Sequence, residues 1–400
     1  MKIAFVGAKV YPVTSLPIEN GIVLVENGKI VKVGTNLSTD GYEIIDCNDL
    51  HLTPGFVDCH THTGIWEEGS GPGPGNNDGN ELSDSITPYV RVLDAIHPED
   101  VGFGDARKGG VTTLGITHGS ANAIGGQISV AKSTGTIADD MVILQPAGLK
   151  FAMGENPKRV GDWKNRAPTT RMGVAALIRK AFYEARDYEE EWEQYKWQLE
   201  FEEKQPEDKR KRVKKPKYDY GKEILLKVLR REIPVRNHAH RADDIITAIR
   251  LSEEFGYRLI VDHATESIKV KERIVEKNIP IAIGPLFGGR SKRELVDQSM
   301  STPGELVKAG AFVAIMTDSP FNPVHGLRDN VIFAIREGLP EEKAMETITI
   351  NPAIILGVDN RVGSIEAGKD ADLLLFNGDP FDGRNRVVKT YIEGKLVFSS

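Results

Sequence analysis

The chain has 400 residues, of which 40% are hydrophobic and 27% charged, and its formal net charge of −7 comes from interspersed acidic and basic residues. This pattern excludes the basic patch that nucleic acid requires, and no apolar run has the length of a membrane span, so we expect neither a nucleic-acid nor a membrane partner. The two cysteines, Cys47 and Cys59, exclude a disulfide framework and favour a reducing, cytoplasmic compartment.

The two ends of the chain have the pattern of small antiparallel sheets. Residues 21–34, GIVLVENGKIVKVG, contain an NGK step that is typical of a tight hairpin, and residues 387–400, VVKTYIEGKLVFSS, have EGK between two β-branched runs. We predict that residues 1–52 and 360–400 pair with each other and form a small β-sandwich domain.

Between the ends, apolar strand candidates alternate with amphipathic helix candidates, which is the pattern of βα units around a parallel sheet. Eight strand candidates occur, the number that a barrel needs. They are FVDCHTH, GVTTLGIT, QISVAKS, MVILQPAGLKFAM, PVRNHAH, RLIVDHAT, PIAIGP and FVAIMTD. The predicted fold class is therefore α/β, with a (β/α)8 TIM barrel over residues 53–359 beside the β-sandwich.

A charged segment at about residues 186–222 interrupts this pattern. Its acidic and basic runs predict a solvated helical insertion, with Trp192, Tyr195 and Trp197 embedded in it. Aromatic residues at spacings of three to five could alternatively form the face of a lid or a subunit contact. We expect a homo-oligomer.

The first barrel strand ends in two histidines one residue apart, within PGFVDCHTHTG at residues 54–64. Because side chains alternate along a strand, His60 and His62 should share one side, with Val57 and Cys59 on the other. Imidazole is a frequent ligand for zinc and similar cations. Alone, the pair could equally be two hydrogen-bonded histidines without a metal, so the decision rests on the rest of the chain.

Further candidate ligands follow other strands. The carboxyl ends of barrel strands form one face, on which TIM-barrel active sites lie. The residues predicted to reach that face are His60, His62, His238, His240, His263 and Asp318. Five of nine histidines and an aspartate at strand ends favour a metal centre.

A lysine in the fourth strand, GLKFAM, has an unusual predicted position. Alternation directs Leu149, Phe151 and Met153 toward the helices and Lys150 into the barrel interior. An interior lysine must lose its charge, pair with an acid or be modified. Reaction with carbon dioxide would give a carbamate that can bridge two cations. The alternatives are a salt bridge to Glu155 or contact with a substrate anion, and Glu155 is itself an alternative bridging ligand.

Several stretches resemble the amidohydrolase superfamily of metal-dependent hydrolases: PGFVDCHTH, the histidines after strands five and six, the aspartate after strand eight, and NPAIILGVDNRVGSIEAGKDADLLLF. GLKFAM resembles the strand with the carboxylated lysine in the urease, dihydropyrimidinase and dihydroorotase branches. VRNHAHRADD is similar to the imidazolonepropionase-related group, which includes prolidase-like dipeptidases. The resemblance spans nearly the whole chain and implies a small-molecule substrate and a β-sandwich built from both termini.

The resemblance also implies a cofactor, zinc or another divalent cation, with one or two ions per chain. One cation would be held by His60, His62 and Asp318, and a second by His238 and His263, with a carbamate on Lys150 as the bridge. Members of the group without the lysine bind a single metal. His240 has the same strand parity as His238 and is assigned to the substrate.

The implied reaction is hydrolysis of a C–N amide bond, in a cyclic amide or a small dipeptide-like substrate. Metal-bound hydroxide would attack the carbonyl, with Asp318 as general base and then general acid. Arg241 stands where deaminases of the superfamily carry a proton-donating glutamate, which disfavours deamination because arginine cannot donate in this role. The alternatives are a non-catalytic scaffold with the same fold, or a hydrolase or deaminase acting on another small-molecule bond.

Further residues are predicted to contact the substrate. Arg241 and Arg159 could clamp a carboxylate, or pair with acids such as Asp243. His118 lies in a glycine-rich loop, which could meet the substrate or be a structural turn. Glu155 completes this set of candidates.

Overall fold

The computed structural model describes residues 1–69 and 77–400. Its strands, in chain order, are β1 (Lys2–Val10), β2 (Ile18–Glu26), β3 (Lys29–Gly34), β4 (Glu43–Asp46), β5 (His51–Pro54), β6 (Phe56–Thr61), β7 (Val111–Ile116), β8 (Ile124–Lys132), β9 (Val142–Ala152), β10 (Val235–Ala239), β11 (Leu259–His263), β12 (Ile281–Ile283), β13 (Val313–Ile315), β14 (Leu373–Phe376), β15 (Val387–Ile392) and β16 (Lys395–Ser399).

The α-helices are α1 (Val101–Gly109), α2 (Ala138–Met141), α3 (Glu155–Trp163), α4 (Arg171–Glu203), α5 (Tyr220–Leu229), α6 (Ala242–Phe255), α7 (Lys271–Glu276), α8 (Thr302–Lys308), α9 (Leu327–Arg336), α10 (Glu341–Ala344) and α11 (Ile350–Leu356). Short 3-10 helices span Val92–Ala95, Glu207–Lys209, Ser267–Val270, Arg293–Leu295, Val324–Gly326 and Met345–Ile348.

Strands β6 to β13 form a nearly closed barrel and pair in chain order. The last strand approaches the first just beyond the strand ends, where the backbone N–H of Asp318 donates to the carbonyl of His60 (3.0 Å). The N–H of His62 likewise donates to the carbonyl of Ser319 (2.9 Å). The predicted fold class, α/β with an eight-stranded barrel, is confirmed, and the ends of the chain, predicted to form a small β-sandwich, contribute an eight-stranded sheet.

One barrel strand departs from the parallel arrangement that the sequence predicts. Strand β8 runs antiparallel to both β7 and β9. Only residues 117–123 connect β7 to β8, whereas a parallel crossover needs a dozen residues or more. The chain therefore turns back at the carboxyl end of β7, and the short connection lies on the same face as the carboxyl ends of the other strands.

The two ends of the chain form a second eight-stranded sheet, in the order β16-β15-β14-β5-β1-β2-β3, with β4 also paired to β1. Strands β5 and β14 join the two ends in antiparallel register, from Leu373 opposite Pro54 to Phe376 opposite His51. This sheet has its own buried cluster, which includes Phe5. The division into two domains at residues 52 and 360 stays a prediction.

Helix α4 contains the start of the predicted insertion. Its first half packs on the barrel through buried residues such as Ile178 and Phe182, and its second half extends into solvent. At 1.5 Å per residue its 33 residues span about 50 Å. The helix ends at Glu203, and residues 204–219 return to α5 with one short 3-10 helix, so the prediction of a helical insertion as far as residue 222 is wrong for its second half. Within the described ranges, no helix is apolar over a membrane-spanning length.

The substitution Phe182→Ala is expected to lower the free energy of unfolding by about 3–5 kcal/mol. The ring is fully buried against the rings of Phe151, Phe255 and Tyr257. Met172→Ala is the matched control on the same helix, because Met172 is 80% exposed, and it should change stability by no more than about 0.5 kcal/mol. Urea denaturation measures both; equal losses would contradict this packing.

Candidate metal centre

A cavity of about 550 Å³ opens at the carboxyl ends of the barrel strands. It is the place where the structure brings most of the predicted site residues together. Those that line it are His60, His62, Lys150, Arg159, His238, His240, His263 and Asp318.

His60 and His62 converge on one carboxylate oxygen. The Nε2 atoms of His60 and His62 lie 3.2 and 3.3 Å from Oδ1 of Asp318. Simple alternation does not produce this geometry, because Val57 and Cys59 belong to the same buried cluster as the interior residues of β12 and β13. A register shift between Asp58 and Thr61 turns the end of β6. The predicted opposite placement of Val57 and Cys59 is therefore wrong, although the two histidines do share a side.

Four of the imidazoles are held through Nδ1. The partners are Asp262 Oδ2 for His60 (3.0 Å), the Thr117 carbonyl for His62 (2.7 Å), Thr265 Oγ1 for His240 (2.8 Å) and the Gly284 carbonyl for His263 (2.7 Å). Carbonyl and carboxylate oxygens only accept hydrogen bonds, so Nδ1 of His60, His62 and His263 carries the proton. Their Nε2 atoms then present lone pairs, which is how outer hydrogen bonds orient metal-binding histidines.

The charges of the site fit a cation. Burial lowers the pKa of His60 and lowers that of His263 to about 3, so both rings are neutral at pH 7. Burial raises the pKa of Asp318, but positive charge on His263 and hydrogen bonds donated by His60 and His62 lower it by more. With these rings neutral, a cation in their midst would supply that positive charge and hold the carboxyl ionised. Nitrogen lone pairs thus face an ionised oxygen at about hydrogen-bond distance. This combination of ligand atoms is of the kind that binds divalent cations such as zinc.

His238 provides a second sign of a cation. Its Nδ1 is buried and, within residues 1–69 and 77–400, has no hydrogen-bond partner, which is rare for a buried polar atom. The ligand atoms of His238, His240 and His263 lie within 4.8 Å of one another, as do those of His60, His263 and Asp318. The two groups share His263 and could hold two neighbouring ions.

The backbone is strained at two of these residues. His263 has φ of 75° and Asp318 has φ of 57°, which are left-handed conformations that non-glycine residues seldom adopt. Each costs about 1–3 kcal/mol, and such strain clusters at functional sites. The strain turns both side chains into the cavity at the ends of their strands.

Lys150 points into the barrel interior, and its neighbours were not predicted from the sequence. Its Nζ lies 3.2 Å from Oδ2 of Asp262 and 3.4 Å from Nε2 of His60. Arg236 donates to Oδ1 of the same aspartate through Nε (2.9 Å) and Nη2 (2.7 Å). Burial is the main cause that lowers the pKa of Lys150. Arg236 has the same strand parity as His238, so alternation could have found it.

The sequence model of the amidohydrolase family matches residues 51–397. The chain belongs to the amidohydrolase family. The family, and relatives named as amidohydrolase and imidazolonepropionase, indicate a hydrolase.

Individual relatives agree with this membership. An amidohydrolase of Hapsidospora irregularis is 29% identical over 94% of this chain, which spans 40% of that longer protein. An imidazolonepropionase of Bacillus cereus is 24% identical over 90% of this chain and 83% of its own length. The crystal structure of an amidohydrolase from Thermotoga maritima superposes with a TM-score of 0.91 at 44% identity, with both chains fully covered. A prolidase complexed with N-methylphosphonate-L-proline shares the fold, with a TM-score of 0.61 at 15% identity over the full length of both chains.

Two of the predicted substrate contacts are not brought into the cavity. Arg241 is paired with Asp243, 2.8 Å away, at the start of α6. Glu155 opens α3, where its backbone N–H donates to the carboxylate of Glu294. Neither is among the described residues that line the cavity. A local ion pair and a helix start account for their positions, and their substrate contacts stay predictions.

His118 is held by backbone groups on both sides of its ring. Its Nδ1 donates to the carbonyl of Gly119 (2.8 Å), and its Nε2 accepts from the backbone N–H of Glu81 (3.0 Å). Both ring nitrogens are therefore occupied by backbone groups, which tie two loops together, and the substrate contact of His118 stays a prediction. The sequence reasoning also missed Lys292, which lines the cavity from the segment after β12.

The tie made by His118 predicts a pH dependence of stability. Burial is the main cause that lowers its pKa to about 4, whereas a histidine in an unfolded chain titrates near 6.5. Between pH 6 and 5 the unfolded state binds the additional proton. The contribution of this residue to the free energy of unfolding therefore decreases by about 1 kcal/mol for each unit by which the pH is lowered. His118→Gln should make the slope of unfolding free energy against pH shallower by that amount in urea titrations. An unchanged slope would refute the tie.

Proposed function

We propose that this chain is a metal-dependent hydrolase that cleaves the C–N bond of an amide, in a cyclic amide or a small dipeptide-like substrate. The observation that carries the proposal is the convergence of the Nε2 lone pairs of His60 and His62 on the ionised carboxylate of Asp318. Neutral imidazoles and a carboxylate are the ligands of zinc, and zinc or another divalent cation is the proposed cofactor.

Two cation positions are proposed, in line with the two ligand groups that share His263. One cation is assigned to His60, His62 and Asp318. The second is assigned to His263 and to His238, whose unpartnered Nδ1 supports the assignment.

Lys150 is proposed to bridge the two cations as a carbamate, which forms when its neutral amine adds to carbon dioxide and releases one proton. Its lowered pKa favours the neutral amine. The alternative is an ammonium that stays paired with Asp262, 3.2 Å away, beside a single cation.

The chain's own residues supply the proton transfers in the proposed mechanism. When bound, a divalent cation polarises a carbonyl and lowers the pKa of water. Asp318 is ionised, so it can take the proton of the attacking water and later deliver it to the leaving nitrogen. Trp66 and Phe321, whose ring centroids are 5.3 Å apart, form an apolar wall beside His62 that limits access of bulk water.

We also propose a homo-oligomeric state and a cytoplasmic location. The exposed, stacked rings of Trp197 and Phe201, 5.6 Å apart on α4, support a homo-oligomer in which they are covered. Cys47 and Cys59 are both free and buried, which is compatible with the cytoplasmic location expected from composition.

Asp318→Asn is expected to lower the rate of amide hydrolysis by about 10²–10⁴-fold, because an amide cannot accept the proton of the attacking water. Hydrolysis of a panel of N-acyl amino acids and cyclic amides by zinc-supplemented protein measures the effect, and circular dichroism checks the fold. Asp243→Asn is the control, since Asp243 pairs with Arg241 away from the cavity. Undiminished turnover in Asp318→Asn would exclude the assigned role.

Lys150→Ala is expected to reduce the metal content from about two ions per chain to one or none, because the bridging carbamate can no longer form. Elemental analysis of protein purified with bicarbonate and zinc measures the content. Lys292→Met removes another lysine of the same cavity and should leave it unchanged. One ion per chain in both wild type and Lys150→Ala would establish a mononuclear site and leave Lys150 paired with Asp262.

A further inference from the structure

The cavity is electropositive, although the whole chain carries a formal net charge of −7. Among the described residues that line it, Arg159 and Lys292 are cationic and Asp318 is the acidic one, while Lys150 belongs to the metal centre in the proposed function and is not counted as a charge. Asp318 is already assigned to a cation in the proposed function. A cleft with this charge attracts and concentrates anionic ligands.

Lys292 and Arg159 meet at one neutral acceptor. Nζ of Lys292 lies 3.4 Å, and Nη2 of Arg159 3.5 Å, from Oδ1 of Asn156. The carboxamide is held in this orientation because its Nδ2 donates to Oγ of Ser120 (2.7 Å). Two cations thus share one uncharged oxygen at the wall of the cavity, at distances longer than those of charge-assisted hydrogen bonds.

The acid nearest to Lys292 does not fully satisfy it. The Lys292 side chain is only 14% exposed, and Oε2 of Glu294 lies 3.5 Å from its Nζ. The other oxygen of Glu294 is shared by Arg171, at 2.9 Å, and by the backbone N–H of Glu155. An ammonium has three N–H donors. Lys292 can therefore bind a closer anionic group and keep its contact with Glu294.

The apolar wall lies across the candidate metal centre from this pair of cations. Trp66 and Phe321 pack beside His62, next to the end of β6. Asn156 instead lies beside His238 on β10, with 3.4 Å between Nδ2 and Nε2. Strands β6 and β10 are four places apart in an eight-stranded barrel and so face each other. A ligand that spans the centre meets an apolar surface at one end and two cations at the other.

We propose that the substrate is an N-acyl amino acid or dipeptide with an apolar acyl side and a free carboxylate, and that this carboxylate binds between Lys292 and Arg159. The inference rests on the proposed function, because it places the scissile amide at the candidate metal centre. The carboxylate displaces Lys292 and Arg159 from the shared Asn156 oxygen and forms shorter, charge-assisted bonds with both.

Binding of a non-hydrolysable pair of ligands tests the inference separately from turnover. N-benzenesulfonylglycine carries the aromatic group and the carboxylate, and N-benzenesulfonylglycinamide is its neutral counterpart. Isothermal titration of the zinc-loaded protein should show the acid binding about tenfold or more tightly than the amide. Lys292→Met should remove most of this preference and leave the affinity for the amide within about threefold. Lys292→Arg should retain it.

Lys269→Met is the matched control, because Lys269 is an exposed lysine paired with Glu266 and Asp297 outside the cavity, and it should keep the full preference. Equal affinities for acid and amide in the wild type, or no binding of the acid, would overturn the inference. So would a preference that survives in a correctly folded Lys292→Met variant. The proposed function fails differently: it fails if the zinc-loaded protein hydrolyses no amide, whatever these titrations show.

Discussion

The buried carboxylate of Asp262 is the constraint on which the rest of the site depends. It accepts two hydrogen bonds from Arg236 on β10 and one from His60 on β6, and it lies 3.2 Å from Nζ of Lys150 on β9. Arg236 also donates to the carbonyl of Cys59, which ties the cluster to β6 again. Burying such charges costs several kcal/mol per ion unless they are paired with good geometry, so this cluster specifies one arrangement of four strands.

The same carboxylate determines what His60 can do. By accepting from Nδ1, Asp262 fixes the tautomer of His60 and directs the Nε2 lone pair at Asp318. Backbone carbonyls do the same for His62 and His263. The hydrogen-bond partners behind the histidines therefore determine which nitrogen lone pairs face the cavity. The surrounding barrel stabilises the strained backbone at His263 and Asp318.

The antiparallel strand β8 contributes to the cavity as well. The turn that precedes it supplies the Thr117 carbonyl that orients His62 and the Ser120 hydroxyl that holds Asn156. A long crossover helix would have carried the chain away from this face. The short connection instead builds one wall of the cavity from backbone and small side chains. This leaves the side chains of Lys292 and Arg159 accessible.

Local sequence patterns predicted the strands, the hairpins and the residues at the strand ends. Eight apolar runs, tight-hairpin signals at both ends, and histidines at strand ends predicted the barrel, the terminal sheet and the gathering of His60, His62, His238, His263 and Asp318 at one cavity. Alternation along β9 likewise predicted an interior Lys150.

Tertiary structure alone decided which charges meet. Asp262 and His263 are consecutive, so strand alternation would put their side chains on opposite faces. Both reach the barrel interior because His263 has a left-handed φ. Nothing near Lys292 in the sequence signals that it joins Arg159 at Asn156, and nothing near His118 signals that both its nitrogens are used by backbone groups. Such pairings join residues far apart along the chain, and their geometry exists only once the strands have closed, whereas periodicity and turn chemistry act between neighbours and are written in the sequence itself.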